Sequence, residues 1–386
     1  MRAELVPLLV CVIILTITFW PSGSDTGFDL PSNLDDARTW LWTSLITMCS
    51  GGCAIALFVG RIRTRTKLIY VGLATGAVVF LIHLSLDTVV GRYNTIPQVN
   101  AGFLVRAVQL LQWITFESGR LAGFAALAAA WVAFLLPVIE KVFGVQTDLR
   151  LLELGDASSS LLRQLAQRAP GTYNHSINVA AIAEAAADSI GAHGLLTRVG
   201  AYFHDIGKMF KPNYFVENQD QGANCHDTLQ PAMSTLVIIA HVKDGADLAR
   251  QHHLPQRIVD FIEQHHGTTL VEYFYREATK RSQEDPNKEE VSETSFRYPG
   301  PKPQTLEAAV LMLADSVESA SRTLVEPTAS RLQNLVDKIA MNKLLDGQFD
   351  ECGLTLQQLD QVKNSLVKSL TAIYHGRIKY TGQASA

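Results

Sequence analysis

The chain has 386 residues, of which 47% are hydrophobic and 18% charged, and its formal net charge at pH 7 is −4. Residues 146–386 carry 23 Lys and Arg against 29 Asp and Glu. This acidic balance gives no broad attraction for phosphate backbones, which argues against a nucleic acid polymer as a partner. The five cysteines have neither a zinc-type C-x-x-C spacing nor the density of a disulfide scaffold.

Residues 1–145 are dominated by apolar runs. A helix needs roughly 17 to 25 apolar residues to cross a bilayer, and we predict four spans, at residues 5–20, 41–60, 68–86 and 121–139. No small-residue cleavage site follows the first run, which favours a retained anchor over a signal peptide.

The orientation of the spans follows from a basic cluster between the second and the third. Residues 61–67 hold four cations, which mark a cytoplasmic loop by the positive-inside rule. The last span then returns the chain to the cytoplasm, provided that residues 103–116 do not span. Polar side chains of that segment share one arc of a helical wheel, which predicts an interfacial amphipathic helix or one packed against other spans.

Residues 146–386 show helical periodicity and no alternating strand pattern. Apolar residues recur at helical spacing in residues 160–168, 178–190, 195–205, 233–241, 255–265 and 304–323. Thr355 and Gln358 form a capping box for a final helix. Residues 280–303 are charged and then proline-rich, which predicts a surface loop. The fold class is therefore all-α: transmembrane helices in residues 1–145, then an all-helical domain in residues 146–386.

Histidines and aspartates recur at the ends of these helices or within them. Imidazole nitrogen and carboxylate oxygen together suit Fe, Mn or Zn, and a charged Asp315 in an apolar run is costly to bury unless it is paired or bound to metal. A lone histidine is more often a core residue, but the whole set in this order favours metal binding. Seven ligands suit two ions that share Asp205; they are His175, His204, Asp205, His241, His265, His266 and Asp315.

The order H, HD, H, HH, D, with Gly207 and Lys208 after the HD pair, resembles the HD phosphohydrolase superfamily. Within it, residues 140–380 resemble the cytoplasmic domain of the seven-transmembrane HD family, the PgpH-type cyclic di-AMP phosphodiesterases. The segments that carry the resemblance are GTYNHS, RVGAYFHDIGK, PNYFVENQ, HVKDG, QHHGT, FRYPGPKPQT and LADSVESASRTL. Family members usually also have a large extracytoplasmic domain and more spans, whereas the outer segments here are short, at residues 21–38 and 87–98.

The resemblance implies an enzyme that holds two Fe or Mn ions and linearises cyclic di-AMP to pApA. It also implies a multi-pass protein of the bacterial inner membrane, with the lipid bilayer as a partner and the HD domain in the cytoplasm. Two such ions lower the pKa of a bridging water, and the resulting hydroxide attacks phosphorus. Asp205 and Lys208 are the expected catalytic residues. Lys208 and, less strongly, Arg322 are candidates for substrate contacts, as is the RYPGPKP segment. Homo-oligomer formation stays open.

Two other functions are compatible with parts of the pattern. One is hydrolysis of cyclic di-GMP or guanosine tetraphosphate. Against it, the HHExxDGxGYP motif of HD-GYP enzymes does not follow His265 and His266, and guanosine tetraphosphate hydrolases generally use a shorter ligand set. The other is a catalytically silent membrane receptor that binds a nucleotide. A binding-only site has no need for seven metal-binding side chains, so the enzyme is the leading hypothesis.

Overall fold

We analysed the protein in a computed structural model. It describes residues 34–59, 65–90, 103–143, 146–156, 159–219, 224–284 and 291–375. The chain divides into two compact units, Met1–Arg150 and Leu151–Ala386. The described residues form helices, and their only β-type pairing is an isolated bridge between Leu270 and Arg297. The prediction of an all-α chain is therefore confirmed.

The described part of the first unit contains three long helices, α1 (Leu34–Val59), α2 (Arg65–Val90) and α3 (Phe103–Phe143). By length and composition, α2 and α3 each contain a stretch that could cross a membrane, Thr66–Leu86 and Ala107–Glu140. Helices of this length and composition are consistent with anchoring in a membrane. In α1 the apolar stretch is shorter, at Leu45–Phe58. The predicted span at residues 5–20 lies outside the described residues.

Residues 103–116 and the predicted span at 121–139 belong to one continuous helix, α3. At 1.5 Å per residue its 41 residues extend about 60 Å, roughly twice the thickness of a bilayer's hydrocarbon core. The mostly polar residues 117–120 do not interrupt the helix. One of them, Ser118, is buried, and its hydroxyl lies 3.2 Å from Nδ1 of His83 on α2. A polar side chain paired in this way can stay inside a helix bundle.

The second unit is a bundle of helices around one core. Its helices are α4 (Asp148–Leu154, which begins in the first unit), α5 (Ser160–Arg168), α6 (Pro170–Ser189), α7 (Gly194–Phe203), α8 (Pro231–Gln251), α9 (Gln256–Gln264), α10 (Glu272–Glu284), α11 (Leu306–Ser321), α12 (Ala329–Leu345) and α13 (Leu356–His375). Helix α11 is central, since 11 of its 16 residues are buried. Alanines of α6 are fully buried against the same core, and their small side chains allow close helix packing.

One helix and one capping box of this unit are as predicted. Helix α5 has the predicted bounds, and Thr355 and Gln358 make the reciprocal hydrogen bonds of a capping box at the start of α13. Helix α8 extends ten residues beyond the predicted segment. The prediction of a surface loop at residues 280–303 is wrong in two respects: α10 continues to Glu284, and Phe296 and Tyr298 are buried.

Candidate metal centre

The seven predicted ligands lie on five elements that converge in the second unit. His175 lies in the second turn of α6, and the His204-Asp205 pair directly follows α7. His241 lies in the middle of α8, and the His265-His266 pair follows α9. Asp315 belongs to the central helix α11. Six of the seven are buried, and only His266 is partly exposed.

These side chains form two groups that share Asp205. The ligand atoms of His175, His204 and Asp205 lie within 4.8 Å of one another, and the same holds for Asp205, His241, His265 and His266. Oδ2 of Asp205 lies 3.6 Å and 3.2 Å from Nε2 of His175 and His204. Oδ1 lies 3.3 Å and 3.6 Å from Nε2 of His241 and His265. Each carboxylate oxygen therefore faces a different group of histidines.

Asp315 lies against both groups. One of its oxygens, Oδ1, is 3.0 Å from Nε2 of His175 and 3.8 Å from Nε2 of His204. The other, Oδ2, is 3.9 Å from Nδ1 of His266. The structure thus brings all seven predicted ligand residues into one cluster.

Hydrogen bonds from Nδ1 fix the ring orientation of four of the histidines. Nδ1 of His204, His241 and His265 lies 2.6 to 2.8 Å from a backbone carbonyl oxygen of the same helix, three residues earlier. Nδ1 of His175 lies 2.6 Å from a carboxylate oxygen of Glu318. Because these oxygens only accept, each Nδ1 carries a proton, and Nε2 is the nitrogen left to face a metal ion.

Polar atoms at the centre of the cluster lack ordinary hydrogen bonds. His204 Nε2 and both oxygens of Asp205 are buried, and none of them makes a hydrogen bond of normal geometry to a described residue. Lys208 Nζ does lie 2.7 Å from Asp205 Oδ2, as an ion pair. Buried polar atoms are normally satisfied, and imidazole and carboxylate are ligands for divalent transition metals. The cluster therefore fits a divalent metal site.

Burial and the neighbouring charges shift the pKa values of the histidines in the cluster. Burial lowers the pKa of His265 to about 4, so this imidazole is neutral and available as a ligand. Burial also disfavours the charged form of His204, but the charge of Asp205 outweighs it and raises the pKa of His204 to about 10. Without a cation, His204 therefore carries a proton that balances Asp205, and a metal ion must displace it.

Lys208 is held beside Asp205 by a residue that sequence reasoning did not select. Its Nζ lies 2.9 Å from Oε1 of Glu217, which also accepts a hydrogen bond from Thr172 Oγ1 at 3.1 Å. Burial would lower the pKa of Lys208, but Asp205 and Glu217 raise it above its usual range, so the ammonium stays charged. Glu217 therefore fixes the position of a buried positive charge at the metal cluster.

The structure does not bring Arg322 into contact with the seven ligands. Its guanidinium donates two hydrogen bonds to Oε1 of Glu318, from Nε at 3.0 Å and from Nη2 at 2.6 Å. Glu318 in turn bonds His175 through its other oxygen. Arg322 is thus connected to the cluster through Glu318, and its predicted contact with substrate stays a prediction.

The fold and the site together define a class of protein. The family model described as HD domain matches residues 172–320, which include all seven ligand residues. The crystal structure of the L. monocytogenes phosphodiesterase PgpH HD domain is similar to this chain, with 47% identity and a TM-score of 0.53. The match covers 56% of this chain and 100% of the solved chain. The same domain solved in complex with cyclic di-AMP matches with a TM-score of 0.54. The second unit therefore contains an HD domain.

Curated relatives place the chain within this class. Cyclic-di-AMP phosphodiesterase PgpH of Bacillus subtilis (strain 168) is 40% identical over 85% of this chain and 43% of its own length. The protein of the same name from Listeria monocytogenes is 43% identical over 72% of this chain and 39% of its own length. The chain belongs to the PgpH family of HD-domain proteins, and it spans about two fifths of the length of these curated relatives.

Proposed function

We propose that the chain is a membrane-anchored, metal-dependent phosphodiesterase that hydrolyses cyclic di-AMP to pApA. The observation that carries the proposal is the pair of ligand groups sharing Asp205. They lie in a domain that is 47% identical to one crystallised with cyclic di-AMP. A site with this many metal-binding side chains suits hydrolysis better than nucleotide binding alone.

Two divalent ions, Fe or Mn, would be held by the seven ligands. His175 and His204 would hold one ion, and His241, His265 and His266 the other, with Asp205 shared by both and Asp315 adjacent to both groups. When bound, such ions activate the attacking water and neutralise charge on the phosphate.

The residues of the chain would orient the substrate and stabilise the charge that develops during hydrolysis. One water is consumed: its oxygen bonds to phosphorus, the bond from phosphorus to the ribose 3′ oxygen breaks, and that oxygen gains a proton. The ammonium of Lys208, fixed 2.7 Å from Asp205, would stabilise negative charge on the phosphate or on the departing oxygen.

We further propose that residues 1–145 form a multi-pass membrane region and that residues 146–386 form an HD domain in the cytoplasm of a bacterium. The four cations within residues 61–67 support this orientation. Two apolar helices of the first unit have the length and composition that crossing a bilayer requires.

The test is a hydrolysis assay on the full chain in detergent, loaded with Mn²⁺ under reducing conditions. Cyclic di-AMP and cyclic di-GMP are offered separately, and the products are resolved by chromatography. We expect preferential conversion of cyclic di-AMP to pApA and its loss in Asp205→Ala. If the metal-loaded protein turns over neither nucleotide, the proposal is wrong, and hydrolysis of another nucleotide or a receptor role becomes the better hypothesis.

A further inference from the structure

Tyr298 is not one of the seven predicted ligands, but its ring packs against the metal cluster. Its ring stacks on the ring of His266, with the centroids 4.3 Å apart and the planes 29° apart. It also meets the ring of His241 edge to face at 6.2 Å. Only 8% of the residue is exposed. Tyr298 thus contacts two of the candidate ligands directly.

Backbone contacts on both sides hold this tyrosine in position. The amide of Tyr298 donates to the carbonyl of Thr269 at 3.0 Å, and the amide of Val271 donates to the carbonyl of Phe296 at 2.8 Å. The neighbouring Arg297 donates to the carbonyl of Thr268 at 2.8 Å. These bonds fix the segment against the loop that follows His266, so the ring needs no hydrogen bond from its own hydroxyl to stay there.

The hydroxyl of Tyr298 makes no hydrogen bond to any residue that the structure describes, and it is not fully enclosed, so a partner from outside the chain can reach it. A largely buried tyrosine usually pairs its hydroxyl, so the partner here is water or a bound ligand. The ordinary pKa of a phenol is about 10. The phenol therefore stays protonated and can donate.

An anionic ligand that enters the cluster would offer this hydroxyl an acceptor in place of water. Lys208 and the cations that the ligands would hold attract anionic groups, and the anionic groups of a cyclic dinucleotide are its phosphates. We propose, on the basis of the function proposed above, that the Tyr298 hydroxyl donates a hydrogen bond to a phosphate oxygen of the bound phosphodiester. Tyr298 is then a substrate-contacting residue, and its stack on His266 sets the position of that contact.

Tyr298→Phe tests this role because it removes the hydroxyl and keeps the stacked ring. The matched control is Tyr273→Phe, which removes the hydroxyl of a tyrosine that is 73% exposed. Both variants are prepared as full chains in detergent with Mn²⁺ bound. The affinity for inorganic phosphate is measured by calorimetry, and hydrolysis is measured on cyclic di-AMP and on bis(p-nitrophenyl) phosphate, a phosphodiester without a base.

For Tyr298→Phe we expect affinity for phosphate and kcat/KM on both esters to fall about tenfold, the size of one hydrogen bond to a charged acceptor. Metal content and melting temperature should match those of Tyr273→Phe and the unmodified chain. Unchanged phosphate affinity and kcat/KM would overturn the inference. A loss confined to cyclic di-AMP would also overturn it, because the hydroxyl would then contact the base. If the unmodified chain hydrolyses neither ester, the proposed function fails, and the phosphate affinities alone decide the role of Tyr298.

Discussion

Nδ1 of His175 lies 2.6 Å from Oε2 of Glu318, and both side chains are buried. The second oxygen of Glu318 is occupied as well, by Asn178 Nδ2 at 3.2 Å and by the guanidinium of Arg322. A carboxylate behind a ligating histidine orients the ring and makes its other nitrogen a stronger ligand. Glu318 therefore acts on the metal cluster through His175 without facing it.

Glu318→Gln should weaken metal binding. The amide keeps the size of the side chain but removes the charge that polarises His175, so we expect Mn²⁺ affinity to fall about 10- to 100-fold. Competition of the full chain with a metallochromic chelator measures it. Glu326→Gln is the control, because that side chain is 77% exposed and paired with Arg331. Equal affinities in the two variants would show that Glu318 has no influence on the site.

Arg322→Gln distinguishes a positioning role from the substrate contact that the sequence suggests. If Arg322 acts by holding Glu318, its loss should lower Mn²⁺ affinity several-fold and leave KM for cyclic di-AMP unchanged. The double variant with Glu318→Gln should then lose less than the sum of the single losses, as expected for residues in one network. A raised KM with normal metal affinity would instead support direct contact with substrate.

The sequence was sufficient to predict which of these side chains cluster, because they belong to residue types that are costly to bury without a partner. Asp315 within an apolar helix needs a partner wherever that helix packs. Glu318 carries a weaker signal. It lies three residues after Asp315, on the same side of α11, but a single acid near a helix end usually faces solvent. Its role became visible only when tertiary packing brought His175 against it.

The burial of Tyr298 and the extent of two helices could not be predicted, because their signal is not periodic. Tyr298 follows a charged segment and precedes glycine and prolines, a composition typical of exposed loops. It is buried because the backbone of residues 296–298 pairs with the segment after His266. Helix α10 has no buried residue, so it shows little of the apolar periodicity that identifies helices. Helix α3 continues through the mostly polar residues 117–120, of which Ser118 pairs with His83 on another helix.

Gly207→Ala should destabilise the second unit and weaken the site. A Cβ at this position would lie 2.0 Å from the carbonyl oxygen of His241 and 2.6 Å from the amide nitrogen of Gly245. The HD segment and α8 would have to separate, which moves Asp205 away from His241. We expect a loss of about 2 kcal/mol or more in unfolding free energy, the range of overpacked cores, together with lower Mn²⁺ affinity.

The control for this substitution is Gly353→Ala. Gly353 has a φ of +72° but no heavy atom within 4 Å of a Cβ. The backbone strain alone should cost about 1 kcal/mol and leave metal affinity unchanged. Urea unfolding of the metal-free chains and chelator competition separate the two effects. If Gly207→Ala costs no more than Gly353→Ala, the close approach of the two backbones is not required.

The charge of Asp346 should make the stability of the second unit fall at acidic pH. Its carboxylate accepts two hydrogen bonds from Arg297, at 3.0 Å and 3.2 Å, and this pair anchors the segment that carries Tyr298. Partial burial would raise the pKa of Asp346, but the bonds from Arg297 and Gln348 outweigh it and lower the pKa below its ordinary value of 3.8. The folded state therefore favours the charged carboxylate. The stabilisation is complete above pH 3.8 and is lost as the pH falls through the lowered pKa.

Asp346→Asn should therefore be less stable than the unmodified chain at neutral pH, by about 0.5 to 1 kcal/mol for a pair this close to the surface. The difference should shrink as acid protonates Asp346, because the protonated acid and the amide are both uncharged. Urea unfolding of metal-free protein from neutral pH downward measures it. Asp350→Asn, at a side chain that is 66% exposed, is the control and should change stability little at any pH. A difference that stays constant as the pH falls would mean that the charge of Asp346 does not stabilise the fold.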